Sequence, residues 1–350
     1  MRHAKGTPAQ HGFSFPPEWR RHEGTWISWP RPEGISFPDR YHESIEDVIR
    51  VIAAIAAHER VHLNVPNANY ERLVRDLLRA RQVPLRRIRF HHIPTNECWT
   101  RDHGPAFVVR EREDAALVDW GFNAWGGKYP PYDADDAVPT RVATELELPV
   151  FTPGIVMEGG AVDFSGAGTV MTTTSCLLHK NRNGGMSRAE VERYLRAFYG
   201  QQHVLWLGDG ILGDDTDGHI DDLARFVDER TIVIGLEDDR ADGNFHVLAD
   251  ARRRLALARD AQGRPFTIVE LPMPRPVWHR GQRLPATYMN FYFVNGALLV
   301  PVFAQRGRDQ RALTALQAVI GHRRVVGVDC RALIWGLGAI HCLTQQQPAV

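Results

Sequence analysis

Val61-His62-Leu63-Asn64-Val65 and Ile88-Arg89-Phe90-His91-His92-Ile93 set apolar side chains at every second position, the period of a β-strand. The stretches around them change period. Ile45, Val48, Ile49, Ile52 and Ile55 follow helical spacing and predict a helix over 45–58; Leu73, Leu77 and Leu78 predict another over 70–81. The alternation continues outward from here. Strands are expected at Ala115–Trp120, Thr169–Thr174, Val204–Leu207 and Thr231–Gly235. Ser187-x-x-Glu190 is a capping box that opens a helix. Tyr288–Val302 reads as two strands turning at Asn295-Gly296, and Arg308–Ile320 as a helix before the strand Arg323–Val328. Trp120–Asp136, rich in Gly, Pro and aromatics, reads as a long functional loop. With no break in composition and no visible repeat, one α/β domain over residues 1–350 is expected.

Composition narrows the function. Of the 350 residues 43% are hydrophobic, enough for a substantial core. Forty-two Lys and Arg balance 42 Asp and Glu, which argues against a nucleic-acid or membrane-surface binder and for a small partner. No run approaches a membrane span, and the polar stretch Met1–Gly12 lacks the apolar segment of a signal peptide. Cys98, Cys176, Cys330 and Cys342 show no CxxC spacing and are too few for a disulfide scaffold. A cytoplasmic protein with reduced thiols is the expectation.

Four segments set ionisable groups beside Gly or Pro: Asn96–Pro105, Met157–Gly160, Asp214–Asp222 and Gly336–Cys342. Alone, each reads as readily as a turn. Together they offer one Cys, one His and several carboxylates, the parts of nucleophilic catalysis. Carboxylates only accept hydrogen bonds, so they suit a cationic substrate rich in N–H donors, and a guanidinium is that substrate. Thiolate attack on its carbon, loss of ammonia and hydrolysis amount to a deimination. A metallohydrolase using Asp102, His103, His219, Asp221 and Asp222 as hard ligands is a competing reading, but it leaves Cys342 idle. A non-enzymatic binder is a further alternative.

Longer motifs sharpen this. Pro16-Pro17-Glu18-Trp19, Gly24–Pro30, Trp99–Pro105, Asp119–Gly127, Glu158-Gly159-Gly160, Trp206–Gly210, Gly218–Asp222, Tyr288–Phe291 and Ile340–Pro348 occur in this order. In them the chain resembles the agmatine deiminase family, which groups with the Porphyromonas-type peptidylarginine deiminases in the guanidine-modifying superfamily. The resemblance implies the pentein fold, a five-bladed α/β propeller of ββαβ-type modules with pseudo-five-fold symmetry. It implies Cys342 as nucleophile, His219 as general acid/base, Asp102 and Asp221 as the pair gripping the guanidinium, and Glu158 as the carboxylate that orients it. Trp99 and Trp125 would line the slot, and Asp215 would meet the distal amine. It implies no cofactor and no metal, and admits a homo-oligomer. The expected reaction is agmatine to N-carbamoylputrescine and ammonia, with free arginine, peptidyl arginine or another guanidino compound as alternatives. Ala339 stands where the family carries Asn, Asp215 where it tends to carry Glu, and the loop after Gly127 is shorter. Lys128 reads first as a solvated surface lysine; were arginine the substrate, Lys128, Arg283 or another basic residue would be the partner of its carboxylate. Cys98, Cys176, Cys330, His103 and His341 receive no catalytic role.

Overall fold

The structure is a computed structural model that describes residues 2–110 and 114–350; Met1 of the polar N-terminal stretch lies outside them. It is a mixed α/β fold in which one unit recurs five times: an antiparallel strand pair, a helix, and a third strand parallel to the second. The first unit runs β1 (His22–Ser28), α1 (Tyr41–Ala56), β2 (Arg60–Asn64), α2 (Ala68–Ala80) and β3 (Ile88–His91), and its three strands share a sheet with the C-terminal strand. The second unit is β4 (Ala106–Arg110), β5 (Asp114–Val118), α3 (Val138–Glu145) and β6 (Pro149–Phe151). The third is β7 (Val162–Phe164), β8 (Thr169–Thr173), α4 (Arg188–Tyr199) and β9 (His203–Leu207). The fourth is β10 (Ala224–Phe226), β11 (Thr231–Leu236), α5 (Asn244–Leu257) and β12 (Thr267–Pro272). A two-stranded hairpin, β13 (Val277–His279) and β14 (Gln282–Leu284), precedes the fifth: β15 (Tyr292–Val294), β16 (Ala297–Val302), α6 (Arg306–Val319) and β17 (Arg324–Asp329). Finally β18 (Thr344–Pro348) pairs antiparallel with β1, Thr344 opposite Ile27, and completes the first unit. The sheets are separate; among the described residues none closes into a barrel.

Local chemistry explains the elements. Ile45, Val48, Ile49, Ile52 and Ile55 form the buried stripe of α1. The Asn67 side chain caps α2, Ser187 and Glu190 form the expected box at the start of α4, and Gly200 ends α4 at φ +69°. β2 lies between two parallel neighbours, and Val61 and Leu63 are fully buried there.

Two expectations change. The hairpin at Asn295-Gly296 forms, but its first strand starts at Tyr292; residues 288–291 are not strand. The stretch 120–136 is not structureless, since Ala124–Gly127 and Asp133–Asp136 each make a helical turn. The recurring units have one consequence for function. The segments immediately before their first strands, at 99–103, 158–161, 219–222, 287–291 and 340–343, carry most of the residues singled out by sequence.

Candidate active site

These five segments bring Asp102, His219, Asp221 and Cys342 together, with Glu158 beside His219. The Thr100–His103 turn is anchored through Thr100, whose Oγ1 accepts from the Ser28 N–H at 2.7 Å. Gly159 permits the next segment to approach it: a Cβ there would stand 2.2 Å from the Arg101 carbonyl oxygen. Asp214 shapes the following loop by accepting from the backbone N–H of Thr216 at 2.7 Å and of His219 at 3.0 Å.

Asp102 accepts from the Gly160 N–H and from Trp125 Nε1, both at 2.9 Å, and lies 3.7 Å from His219 Nδ1. Asp221 Oδ2 meets His341 Nδ1 at 2.7 Å and the Cys342 sulfur at 3.7 Å. Its Oδ1 has no hydrogen-bond partner among the described residues, and neither do Glu158 Oε2 or the two ring nitrogens of His219. Buried polar atoms are ordinarily paired, so these four atoms leave room for a polar guest. Gly160 keeps the space open. A Cβ there would stand 2.6 Å from His219 Nδ1, 2.8 Å from Asp102 Oδ1 and 3.1 Å from Asp221 Oδ2. Gly160→Ala is therefore expected to lower kcat/KM about a hundredfold by displacing the guest, with the thermal midpoint changing much less. Steady-state kinetics beside a melting curve check this.

The electrostatics follow from crowded acids. Burial pushes the Asp102 carboxyl up, and Asp221 and Glu158 add to this against the opposing pull of His219. Burial alone would lower His219, but Asp102, Cys176 and Asp221 outweigh it and hold the imidazole well above its usual value. Burial, then Asp221, Asp222 and Asp102, push the Cys342 thiol well up. A cation arriving in the site reverses that balance.

From Cys342 and Asp102 a cavity of about 250 Å³ runs to the surface. Its walls include Trp99, Trp125, Tyr129, Phe37 and Trp335, and Asp39 pairs with Arg280 at its rim. Asp215 lies on the wall, where its carboxylate accepts from the Tyr129 hydroxyl. The expected carboxylate readers are otherwise engaged. Lys128 Nζ donates to Asp217 at 2.9 Å and to the Asp215 carbonyl, and Arg283 pairs with Asp242 at 2.9 Å. Among the described residues, the groups whose ligand atoms lie within 4.8 Å of one another are Glu158, Cys176 and His219, and Asp221, Asp222 and Cys342; the five residues of the metallohydrolase reading form neither, and His103 is in none. Burial pushes His103 down to about 4, consistent with a neutral ring packed against Phe122. Cys98 and Cys330 are core residues, whereas Cys176 stands beside His219.

Sequence reasoning missed the residues that hold these groups. Arg182, wholly buried, donates to Glu158 Oε1 at 2.5 Å, Asp217 at 2.6 Å and the Thr216 carbonyl at 2.7 Å. Glu18 receives His341 Nε2 at 2.8 Å, Arg225 at 2.9 Å and Arg101 at 3.4 Å. Glu18 was visible only as part of a motif, and Arg182 carried no signal, since its partner Glu158 is 24 residues away.

Residues 14–348 match the family model for Porphyromonas-type peptidyl-arginine deiminase. An agmatine deiminase from Medicago truncatula is 34% identical over the full length of both chains. The solved agmatine deiminase of Enterococcus faecalis superposes with a TM-score of 0.91 at 31% identity, each chain covered completely. A more distant likeness, TM-score 0.51 at 11% identity over 97% of both chains, is to an amidinotransferase from Microseira wollei and concerns the fold alone.

Proposed function

The chain belongs to the Porphyromonas-type peptidyl-arginine deiminase family and is a guanidine-modifying hydrolase, and on that premise we propose that it converts agmatine and water to N-carbamoylputrescine and ammonia. The aromatic cavity that reaches Cys342 and Asp102, with Asp221 against the same sulfur and its Oδ1 unpaired, carries this reading. Asp102 and Asp221 pair with the N–H groups of the guanidinium and fix its plane, with Glu158 orienting it beside His219. The Cys342 thiolate adds to the guanidinium carbon. His219, as imidazolium, gives a proton to one amino group, which leaves as ammonia, and a thiouronium remains on the sulfur. Water then adds to that carbon while His219 takes one of its protons; the carbon–sulfur bond breaks to release the thiolate, and the second proton of the water leaves to solvent, where it converts the ammonia to ammonium, as the neutral ureido product departs. We read the five recurring units as blades of one propeller, a single domain with the site at its centre. Four buried free thiols suit the cytoplasmic placement. Among the described residues no helix is long and apolar enough to cross a membrane.

Substrate choice falls to the cavity wall. Trp99 and Trp125 flank the methylene chain, and Asp215 faces the distal ammonium. Lys128 and Arg283 already have acidic partners, which favours a substrate without a carboxylate. Purified protein offered agmatine, arginine and a peptidyl arginine should release ureido product fastest from agmatine; faster release from arginine would overturn the assignment. Asp215→Asn should lower kcat/KM for agmatine about tenfold and leave an alkylguanidine without the amine nearly unchanged.

The pH profile offers a separate test. Protonated Asp102 gives a guanidinium no charged partner, so activity falls as pH drops through its pKa. Because that pKa is raised, the acid limb of kcat/KM should lie above the ordinary aspartate value of about 3.9. A limb at or below that value would contradict the electrostatics described.

A further inference from the structure

Asn290, 1% exposed, ends the segment before β15 and touches the nucleophile. Its Oδ1 accepts from the backbone N–H of His341 at 2.9 Å and of Cys342 at 3.2 Å. These two donors decide which way the amide faces, because an amide nitrogen in that place would meet only N–H groups. Nδ2 therefore points into the site. It lies 3.0 Å from the Cys342 sulfur, 3.0 Å from Asp222 Oδ1 and 3.4 Å from Asp221 Oδ2.

The surroundings of the sulfur make this donor significant. Asp102 faces it from the 100–103 turn, Asp221 and Asp222 face it from the 220–222 turn, and His341 lies beside it on its own segment. His219 lies near Asp102 and Asp221, with Glu158 and Cys176 beside it, and Asp215 and Tyr129 stand farther out on the cavity wall. The carboxylates and burial all oppose a negative sulfur. Asn290 supplies a side-chain N–H to it that carries no charge of its own, so it does not repel the cationic substrate.

We propose that Asn290 is a catalytic residue, whose amide N–H hydrogen-bonds to the Cys342 sulfur, aims it at the guanidinium carbon and stabilises the thiolate before attack and on its release. This rests on the reading of Cys342 as nucleophile. The same side chain clamps the turn that carries Cys342 through its carbonyl, so one residue sets both the position and the charge of the sulfur.

Two variants separate this role from a structural one. Asn290→Asp keeps an oxygen for both backbone donors but removes the N–H. Asn290→Ala removes the N–H without adding charge. Each is measured for kcat/KM with agmatine, for thermal midpoint, and for the pH dependence of Cys342 alkylation by iodoacetamide without substrate. In both variants kcat/KM should fall about 10- to 100-fold, and the alkylation profile should move to higher pH. Asn290→Asp with kcat/KM within twofold of the parent would overturn the proposal. So would an alkylation profile for folded Asn290→Ala that superimposes on the parent's. If Asn290→Ala does not fold, Asn290→Asp decides through kcat/KM. Loss of activity in Cys342→Ser, together with unchanged Asn290 variants, would remove this proposal and leave the nucleophile in place; a fully active Cys342→Ser would remove both.

Discussion

Cys342→Ser should lose about 10⁴-fold or more in kcat while remaining folded. The hydroxyl is nearly isosteric with the thiol, and the fold around the position is tightly specified. The Cys342 N–H bonds Asn290, and Thr344, two residues on, begins β18. The chemistry changes because a serine alkoxide beside Asp102, Asp221 and Asp222 is far harder to form than a thiolate. Binding should survive, since Asp102 and Asp221, the carboxylates proposed to grip the cation, are untouched. Calorimetric titration with agmatine alongside single-turnover kinetics checks both halves, and a variant retaining even a tenth of the parent kcat would contradict the proposed role.

The second large effect is expected at Asp221. Asp221→Asn should cost about 3–5 kcal/mol in the transition state, or about 10²–10⁴ in kcat/KM. Its Oδ2 meets His341 and the sulfur, and its unpaired Oδ1 is the atom proposed to take the guanidinium. Removing the charge weakens the grip on the guanidinium and leaves His341 with Glu18 as its remaining carboxylate partner. Both kcat and KM should worsen. A change confined to KM would mean that Asp221 serves binding alone.

The alternation of elements was legible because period 2 and period 3.6 are local properties. Leu63 and Val61 alternate in a strand, Ile45 through Ile55 stripe a helix, and Ser187 with Glu190 caps α4. The fivefold recurrence of the unit was not legible, for a physical reason. The segments before the first strands occupy equivalent places, yet they carry Asp102, Gly160, Asp221, Asn290 and Cys342, each suited to a different task. Where equivalent positions do different chemistry, similarity of sequence has no cause to persist. The chemical segments stood out because ionisable groups beside Gly and Pro are unusual at the entrance of a buried strand. Their supports did not, because Arg182 and Arg225 meet their carboxylates only in three dimensions. The partners of Lys128 and Arg283 were hidden for the same reason: Asp217 and Asp242 lie 89 and 41 residues away.

The most direct test of the central claim is mass spectrometry of the protein quenched during turnover of agmatine. A covalent adduct equal to agmatine less ammonia should appear on the peptide containing Cys342, form before product, and be absent from Cys342→Ser. Its presence on Cys98 or Cys176 instead, or steady production of the ureido compound by Cys342→Ser, would contradict covalent catalysis at Cys342.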